Sequence, residues 1–192
     1  MGPRRTGPQA PPPQAQADRR RGCGHGRAVN AFIGLGANLG NARAALVSAV
    51  RALSGLPLTR FVKGSSLYAS APVDAGGPDY LNAVVLLDTA LEPLALLHAM
   101  QAIENAAGRE RPYLNAPRTL DLDVLLYGAL ELCGADLTLP HPRMWQRAFV
   151  LLPLSEIAPE RVRPEQLATV ARQRIDRVAQ AAEWIAISQQ KQ

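Results

Sequence analysis

The stretch 120–127 constrains the fold of this chain most, because it combines the pattern of a β-strand with two carboxylates. Strand side chains alternate between the two faces of a sheet, and every even-numbered residue in this stretch is apolar. These apolar residues predict a buried face, and Asp121 and Asp123 share the opposite face. Two anionic groups side by side repel each other unless a cation or a proton compensates. The pair is therefore either a site for a hard cation such as Mg²⁺ or two unrelated aspartates on a solvated face.

Arginines accompany this acidic strand in the sequence. Arg118 precedes it directly, and Arg109 and Arg111 follow a helix predicted over residues 92–107. Guanidinium groups bind phosphate in a bidentate manner, and Mg²⁺ shares phosphate oxygens with its substrate. The combination indicates a polyphosphate site and favours the metal-binding interpretation of the aspartates.

The net charge does not indicate a nucleic-acid partner. Residues 1–28 hold six arginines and one aspartate, which accounts for the whole formal charge of +5. This tail is rich in proline, glutamine and arginine, which predicts disorder, and it lacks the apolar segment of a signal peptide. Cys23 and Cys133 do not suggest a disulfide framework, and no apolar run reaches the roughly 18 residues of a membrane span. We expect no membrane association and a reducing, cytoplasmic location.

The hydrophobic periodicities predict the element order β-α-β-β-α-β. This order is typical of an α+β fold, a ferredoxin-like βαββαβ sandwich with additional C-terminal helices. We expect the first helix to be capped by Asn38, Asn41 or both, and both helices to cover one sheet face, which leaves the other face for loops and a site. The predicted strands are 29–35, 58–68, 80–87 and 120–127, the helices are 42–54 and 92–107, the loops are 72–79 and 109–117, and further helical segments fall within 143–157 and 164–184.

The glycine-rich segment 34–40 follows a predicted strand and precedes a predicted helix. Its spacing is G-x-G-x-x-x-G, which differs from the dinucleotide-binding pattern G-x-G-x-x-G. It also contains no lysine, so it is not a phosphate-binding P-loop. We interpret it as a tight strand-to-helix turn close to a ligand.

Several segments, in order along the chain, closely resemble the 6-hydroxymethyl-7,8-dihydropterin pyrophosphokinase family. The run Pro-Arg-Thr-Leu-Asp-Leu-Asp at 117–123 is the most specific of them. Many members carry a tryptophan where this chain has Asn115, so the loop before this run departs from the family pattern. The other matching segments are 34–40, 78–83, 103–104 with 108–109, 139–142, and 153–154 with 156–159.

The resemblance implies transfer of pyrophosphate from ATP to the pterin hydroxymethyl group, with release of AMP, in folate biosynthesis. It implies one monomeric domain over 29–192, with a helical extension from about residue 160, and small-molecule partners only. By the same resemblance, Asp121 and Asp123 bind two Mg²⁺ ions, and Arg109 and Arg118 are catalytic. The pterin site would comprise Tyr80 and Phe149 stacked on the ring, with Asn82, Ser70, Ala71 and Val73 at its edge, and the ATP site would comprise Gln101, Glu104, Arg111, Val124, Thr138, His141 and Arg147.

Three other functions are compatible with parts of the sequence. A sugar-nucleotide transferase can also use an Asp-x-Asp pair, but it normally needs a larger nucleotide-binding domain. An RNA-binding module on such a sheet predicts basic and aromatic residues on the strand face, where this chain has Asp121 and Asp123. An inactive relative is disfavoured because both aspartates and the arginines Arg109 and Arg118 are retained.

Overall fold

The computed structural model describes residues 27–72, 77–108 and 119–189. They form an α+β fold with a main antiparallel sheet, a short hairpin and helices on both faces of the sheet. In the described residues, no helix is long and apolar enough to cross a membrane. The strands are β1 (Val29–Ala37), β2 (Thr59–Gly64), β3 (Leu67–Ser70), β4 (Tyr80–Thr89), β5 (Asp121–Tyr127), β6 (Leu132–Cys133), β7 (Thr138–Leu139) and β8 (Ile175–Ala179), and the helices are α1 (Ala42–Ser54), α2 (Pro93–Ala106), α3 (Ala148–Ile157), α4 (Pro164–Val170) and α5 (Ala181–Gln189).

The main sheet has the order β5-β1-β4-β3-β8, and every neighbouring pair is antiparallel. The edge segment predicted over 58–68 is divided into two strands, because the chain bends at Ser65 and Ser66. Strand β3 pairs with the first residues of β4, whereas β2 pairs with its last residues. Strands β6 and β7 form a separate hairpin. Helix α1 thus connects β1 to β2, and α2 connects β4 to β5.

Both predicted helices pack against one face of the sheet. Apolar residues of α1 and α2, such as Leu46 and Met100, form one core with the odd-numbered residues of β1. Asn41 caps α1 as predicted, because its side chain accepts a hydrogen bond from the Ala44 N–H at 3.0 Å. Asn38 has a different role: its buried side chain donates to the carbonyl of Pro78 at 3.2 Å.

The prediction that the opposite face is free of helices is wrong for part of that face. Helices α3 and α4 cover it with a second apolar cluster that includes Phe32, Val84 and Leu86. Helix α3 can pack on this face because residues 148–157 are apolar on nearly all sides of the helix. Pro153 lies within this helix. Beyond Val84 the same face carries small and polar residues instead, and the candidate site lies there.

The C-terminal region is not the wholly helical extension that the sequence predicts. Residues 175–179 form strand β8, which pairs antiparallel with β3. Helix α5 then returns to the main core, where Trp184 is fully buried and donates its indole N–H to the Ser65 carbonyl at 3.0 Å. A Cβ atom at Gly64 would lie only 2.8 Å from Ile185 Cδ1, so α5 packs closely on the bend between β2 and β3.

Replacing Trp184 by alanine is therefore expected to lower the free energy of unfolding by about 3–5 kcal/mol, the usual cost of emptying a buried aromatic site. The chain's other tryptophan, Trp145, is partly exposed and provides the matched control. Urea unfolding followed by circular dichroism measures both variants. Equal losses for Trp184→Ala and Trp145→Ala would contradict the assignment of α5 to the core.

Candidate active site

The two aspartates of β5 lie beside two glycines of the central strand β1. Asp121 pairs with Gly36 and Asp123 pairs with Gly34, so both carboxylates share the sheet face opposite α1 and α2. Among the described residues, an ideal Cβ at Gly36 would meet only Asn82 Oδ1 at 3.5 Å and Tyr80 Cδ1 at 4.0 Å. The absent side chain therefore leaves a gap in the sheet face between Asp121 and Asn82.

This arrangement corrects the interpretation of the glycine-rich segment 34–40. Gly34 and Gly36 are strand residues within β1 and do not form a turn. Only Gly40, with φ of 58°, adopts the left-handed conformation expected of a turn glycine. The first two glycines instead open the surface of the sheet at the acidic pair.

The outer edge of β5 is held by contacts from distant parts of the chain. Glu104, at the end of α2, is 1% exposed, and its carboxylate accepts a hydrogen bond from the Leu122 N–H at 2.9 Å. The His141 N–H donates to the Leu125 carbonyl at 2.9 Å. Because Leu122 lies between the aspartates, Glu104 fixes the backbone that carries them.

The His141 imidazole lies in the electrostatic field of Asp123 and of two arginines. Burial is the main cause that lowers its pKa; Arg143 and Arg147 lower it further, and Asp123 opposes them. The Arg143 N–H donates to His141 Nδ1 at 3.3 Å, so the neutral ring carries its proton on Nε2. The structure thus brings His141, Arg147 and Asp123 together and supplies a neutral N–H donor next to the carboxylates.

Asn82 is 4% exposed, and its hydrogen bonds fix the orientation of its amide. The Nδ2 group donates to the carbonyls of Tyr68 at 3.4 Å and Tyr80 at 3.3 Å, and to Ser70 Oγ at 3.0 Å. Carbonyl oxygens only accept hydrogen bonds, so the NH₂ must point toward them. The Oδ1 atom consequently points over Gly36, where it can accept a hydrogen bond from a ligand.

The two predicted ring-stacking residues lie on the same side of the sheet. Tyr80 begins β4 on the face that carries Asn82, and Phe149 lies in the first turn of α3, which covers that face. Both side chains are partly exposed, and the Arg147 guanidinium carbon lies 5.3 Å from the centre of the Phe149 ring. An arginine at this distance is within the range of a cation–π contact.

Other predicted residues are placed less directly. The Val124 side chain is buried in the core with α1 and α2, so only its backbone can contact a nucleotide. Gln101 is exposed on α2, Thr138 lies on β7, Ser70 is buried on β3, and Ala71 is exposed just after it. Within the described residues, no group of three or more potential metal ligands occurs. Val73, Arg109, Arg111 and Arg118 lie outside the described residues.

Comparison with known proteins gives this site a family context. Residues 32–159 match the sequence model of the 7,8-dihydro-6-hydroxymethylpterin-pyrophosphokinase (HPPK) family. The chain belongs to this family. The matched range includes both aspartates, Asn82 and the two strand glycines, so the site described above lies within the region that matches the family.

Individual relatives agree with this membership. The chain is 44% identical to the 2-amino-4-hydroxy-6-hydroxymethyldihydropteridine pyrophosphokinase of Pseudomonas aeruginosa over 154 residues, which cover 77% of this chain and 95% of the relative. It is 45% identical to the enzyme of the same name from Haemophilus influenzae over 137 residues, covering 71% of this chain and 86% of the relative.

Solved structures confirm the fold at low sequence identity. A crystal structure of a Plasmodium falciparum HPPK-DHPS triple mutant matches with a TM-score of 0.55 at 16% identity and covers 69% of this chain. The wild-type protein with pterin and p-hydroxybenzoate gives the same TM-score and identity and covers 70% of this chain. The match spans 40% of the length of each of these longer proteins.

Glu156 belongs to a segment that resembles the family, but no local sequence pattern indicated its role. Its carboxylate accepts hydrogen bonds from the Ser66 N–H at 3.1 Å, from Ser66 Oγ at 2.8 Å and from Tyr68 Oη at 2.9 Å. Burial, and then the hydrogen bond to Glu156, raise the pKa of Tyr68 to about 12, so the phenol remains a donor at neutral pH. Ser66 and Tyr68 lie 90 and 88 positions before Glu156 in the sequence, so local sequence patterns do not reveal these contacts.

Proposed function

We propose that this chain transfers pyrophosphate from ATP to the hydroxymethyl group of 6-hydroxymethyl-7,8-dihydropterin, with Mg²⁺ as the cofactor and AMP as the second product. As a family member, it is a pyrophosphokinase of folate biosynthesis. The observation that carries the residue assignment is the row Asp121–Gly36–Asn82, which runs across three neighbouring strands. The test is whether the nucleotide product is AMP and whether it forms only with the pterin.

This row places the two ends of the proposed site on one surface. The phosphate end lies at Asp121 on β5, and the acceptor end lies at Asn82 on β4. Neighbouring strands are about 4.8 Å apart, so Asp121 and Asn82 are separated by about 10 Å at the backbone. The glycine between them keeps the surface low enough for a flat ring and a phosphate chain to approach each other. The geometry supports a reaction between a phosphate held at β5 and an alcohol held at β4.

The acidic pair fits Mg²⁺ by the chemistry of its donors. Mg²⁺ prefers hard oxygen ligands, and it commonly takes one or two carboxylates and completes its shell with water and substrate phosphates. Asp121 and Asp123 would hold the proposed two ions, which would neutralise charge on the phosphates and orient them. The described protein ligands are too few for a closed structural site, which agrees with a metal shared with the substrate.

The acceptor end is proposed to recognise the N–H edge of the pterin. Asn82 Oδ1 would accept a hydrogen bond from this edge, because its amide nitrogen is already committed to three acceptors. Tyr80 and Phe149 would stack on the two faces of the ring. The further predicted contacts are the segment Ser70, Ala71 and Val73.

The nucleotide end is proposed to lie along β5 and the segment that crosses its edge. His141 would donate from Nε2, and Arg147 would contribute positive charge next to Asp123. The proposed catalytic arginines, Arg109 and Arg118, would stabilise the charge that develops on AMP as the bond to the β-phosphorus breaks. The remaining proposed ATP contacts are Gln101, Glu104, Arg111, Val124 through its backbone, and Thr138.

We also propose the ferredoxin-like fold class, the monomeric state and the cytoplasmic location. The described strand order, with each of α1 and α2 crossing over a third strand, supports classification of the fold as ferredoxin-like. A monomeric, cytoplasmic enzyme without a nucleic-acid partner agrees with a site built from one chain for two small molecules.

Gly36→Ala is expected to weaken pterin binding with little effect on stability. The new methyl group would sit in ordinary contact, 3.5 Å from Asn82 Oδ1, so the fold has room for it, but it would occupy the gap needed by the ring. We expect about a tenfold increase in the KM for pterin, the usual scale for a misplaced methyl group in a fitted pocket. Gly55→Ala, at an exposed helix end, is the control, and a normal pterin KM in Gly36→Ala would contradict this role.

A further inference from the structure

We propose that Glu156 is a positioning residue for the pterin, an inference that rests on the proposed function. It belongs to α3, which packs over β4 and β3, and its described hydrogen bonds reach neither the acidic pair nor Asn82. Its carboxylate instead binds the bend between β2 and β3, through the backbone and hydroxyl groups of Ser66.

The bend is a place where the strand backbone needs an external partner. Ser65 replaces a regular strand residue: its N–H donates to the Val84 carbonyl at 2.9 Å, and its hydroxyl accepts from the Val84 N–H at 3.0 Å. The next N–H, that of Ser66, turns away from β4, and both oxygens of Glu156 accept it at 3.1 Å. Ser66 is fully buried, so loss of this acceptor would leave a buried donor without its partner.

The contacts continue from the bend to the residue proposed to read the pterin. Glu156 accepts the Tyr68 hydroxyl at 2.9 Å, which fixes the side chain of β3 that lies directly opposite Asn82. The carbonyl of the same Tyr68 and the hydroxyl of Ser70 accept the Asn82 amide N–H groups. Strand β3 and the bend before it are thus held by Glu156, through Tyr68 Oη and Ser66, and by the Asn82 amide, through the Tyr68 carbonyl and Ser70 Oγ.

The acidic pair and Glu156 therefore serve different substrates. Asp121 and Asp123 lie at the phosphate end, on the far side of β1 from β4, whereas Glu156 acts only through β3 on the acceptor end. A change at Glu156 should let β3 shift and Asn82 rotate, and leave β5 and its metal-binding pair in place. The expected signature is a selective loss of affinity for the pterin.

The test compares steady-state constants for Glu156→Ala and Glu156→Gln with those of the unchanged protein. Glu156→Ala is expected to raise the KM for pterin about tenfold and to change the KM for ATP less than twofold, the scale of one lost charge-assisted hydrogen bond. Glu156→Gln keeps one acceptor oxygen for Ser66 and should recover at least half of the loss. Glu160→Ala removes an exposed charge three residues after α3 and is the matched control.

Melting temperatures separate positioning from stability. A purely structural role predicts a lower melting temperature with an unchanged pterin KM at a temperature where both proteins are folded, and that result would overturn the proposal. An equal rise in both KM values would also overturn it. If Glu156→Ala does not fold, the decision rests on Glu156→Gln and on Tyr68→Phe, which removes only the donor hydroxyl and should raise the pterin KM about threefold. Absence of any AMP from the unchanged protein would instead refute the proposed function.

Discussion

Asp123→Asn is expected to lower kcat/KM by about a thousandfold while the protein remains folded. The substitution preserves the size of the side chain and removes one of the two anionic ligands proposed for Mg²⁺. Metal ions contribute several kcal/mol of charge stabilisation in such reactions, which corresponds to a loss of about this size. The KM for pterin should change little, because the acceptor end lies on the other side of Gly36.

The stability of Asp123→Asn tests, independently of activity, whether the acidic pair has a structural role. Asp121 and Asp123 share one face of β5, where like charges repel each other, so neutralising one of them should not destabilise the fold. Asp176→Asn is the matched control: this aspartate is also on a strand, and it is exposed, with only a 3.6 Å ion pair to Arg174. Such an exposed ion pair contributes little to the free energy of unfolding. Unfolding of Asp123→Asn, or activity equal to that of Asp176→Asn, would contradict the metal-ligand role.

Asn82→Ala is expected to lower kcat/KM for pterin by about a hundredfold and to leave the KM for ATP within a factor of two. A site built to hydrogen-bond its substrate loses much of its discrimination for that substrate when one partner is removed. A loss of about 2–3 kcal/mol is typical when the removed group is buried and oriented. The free energy of unfolding should fall by only about 1–2 kcal/mol, because the freed carbonyls of Tyr68 and Tyr80 belong to the sheet.

A control and a second variant sharpen this prediction. Asn30→Ala removes an exposed asparagine from the same face of the sheet and should behave like the unchanged protein. Asn82→Asp would place a carboxylate oxygen against the carbonyl oxygens of Tyr68 and Tyr80, so it should lose both stability and pterin affinity. Parallel losses of ATP and pterin affinity in Asn82→Ala would show that this residue does not act on the acceptor specifically.

The sequence predicted the acidic strand correctly because alternation with a period of two is a local signal. It misassigned Gly36, and it placed Gly34 in both the predicted strand 29–35 and the predicted turn, because two glycines near a strand end resemble a turn; only the pairing of β1 with β5 and β4 shows what they open. The C-terminal strand β8 was missed for a similar reason. Ile175 and Val178 are three residues apart, as on a helix, and the strand conformation depends on pairing with the distant β3.

The buried carboxylate of Glu104 shows the same limit at the site. The family resemblance implies that Glu104 lines the ATP site, which stays a prediction; the structure shows in addition that its carboxylate is buried against the backbone of β5, 18 residues away. A hydrogen bond between a helix end and a strand edge has no periodic signature. The sequence could therefore predict candidate site residues, but it could not predict the backbone contacts that hold them in place.

The most direct test of the account is the identity of the nucleotide product. The chain is incubated with ATP labelled at the β-phosphorus, Mg²⁺ and 6-hydroxymethyl-7,8-dihydropterin, and the products are separated by chromatography. We expect AMP and the pterin diphosphate in equal amounts, with the label in the pterin product, and no AMP when the pterin is omitted or Mg²⁺ is chelated. Formation of ADP with a pterin monophosphate, or ATP consumption that does not depend on the pterin, would contradict it.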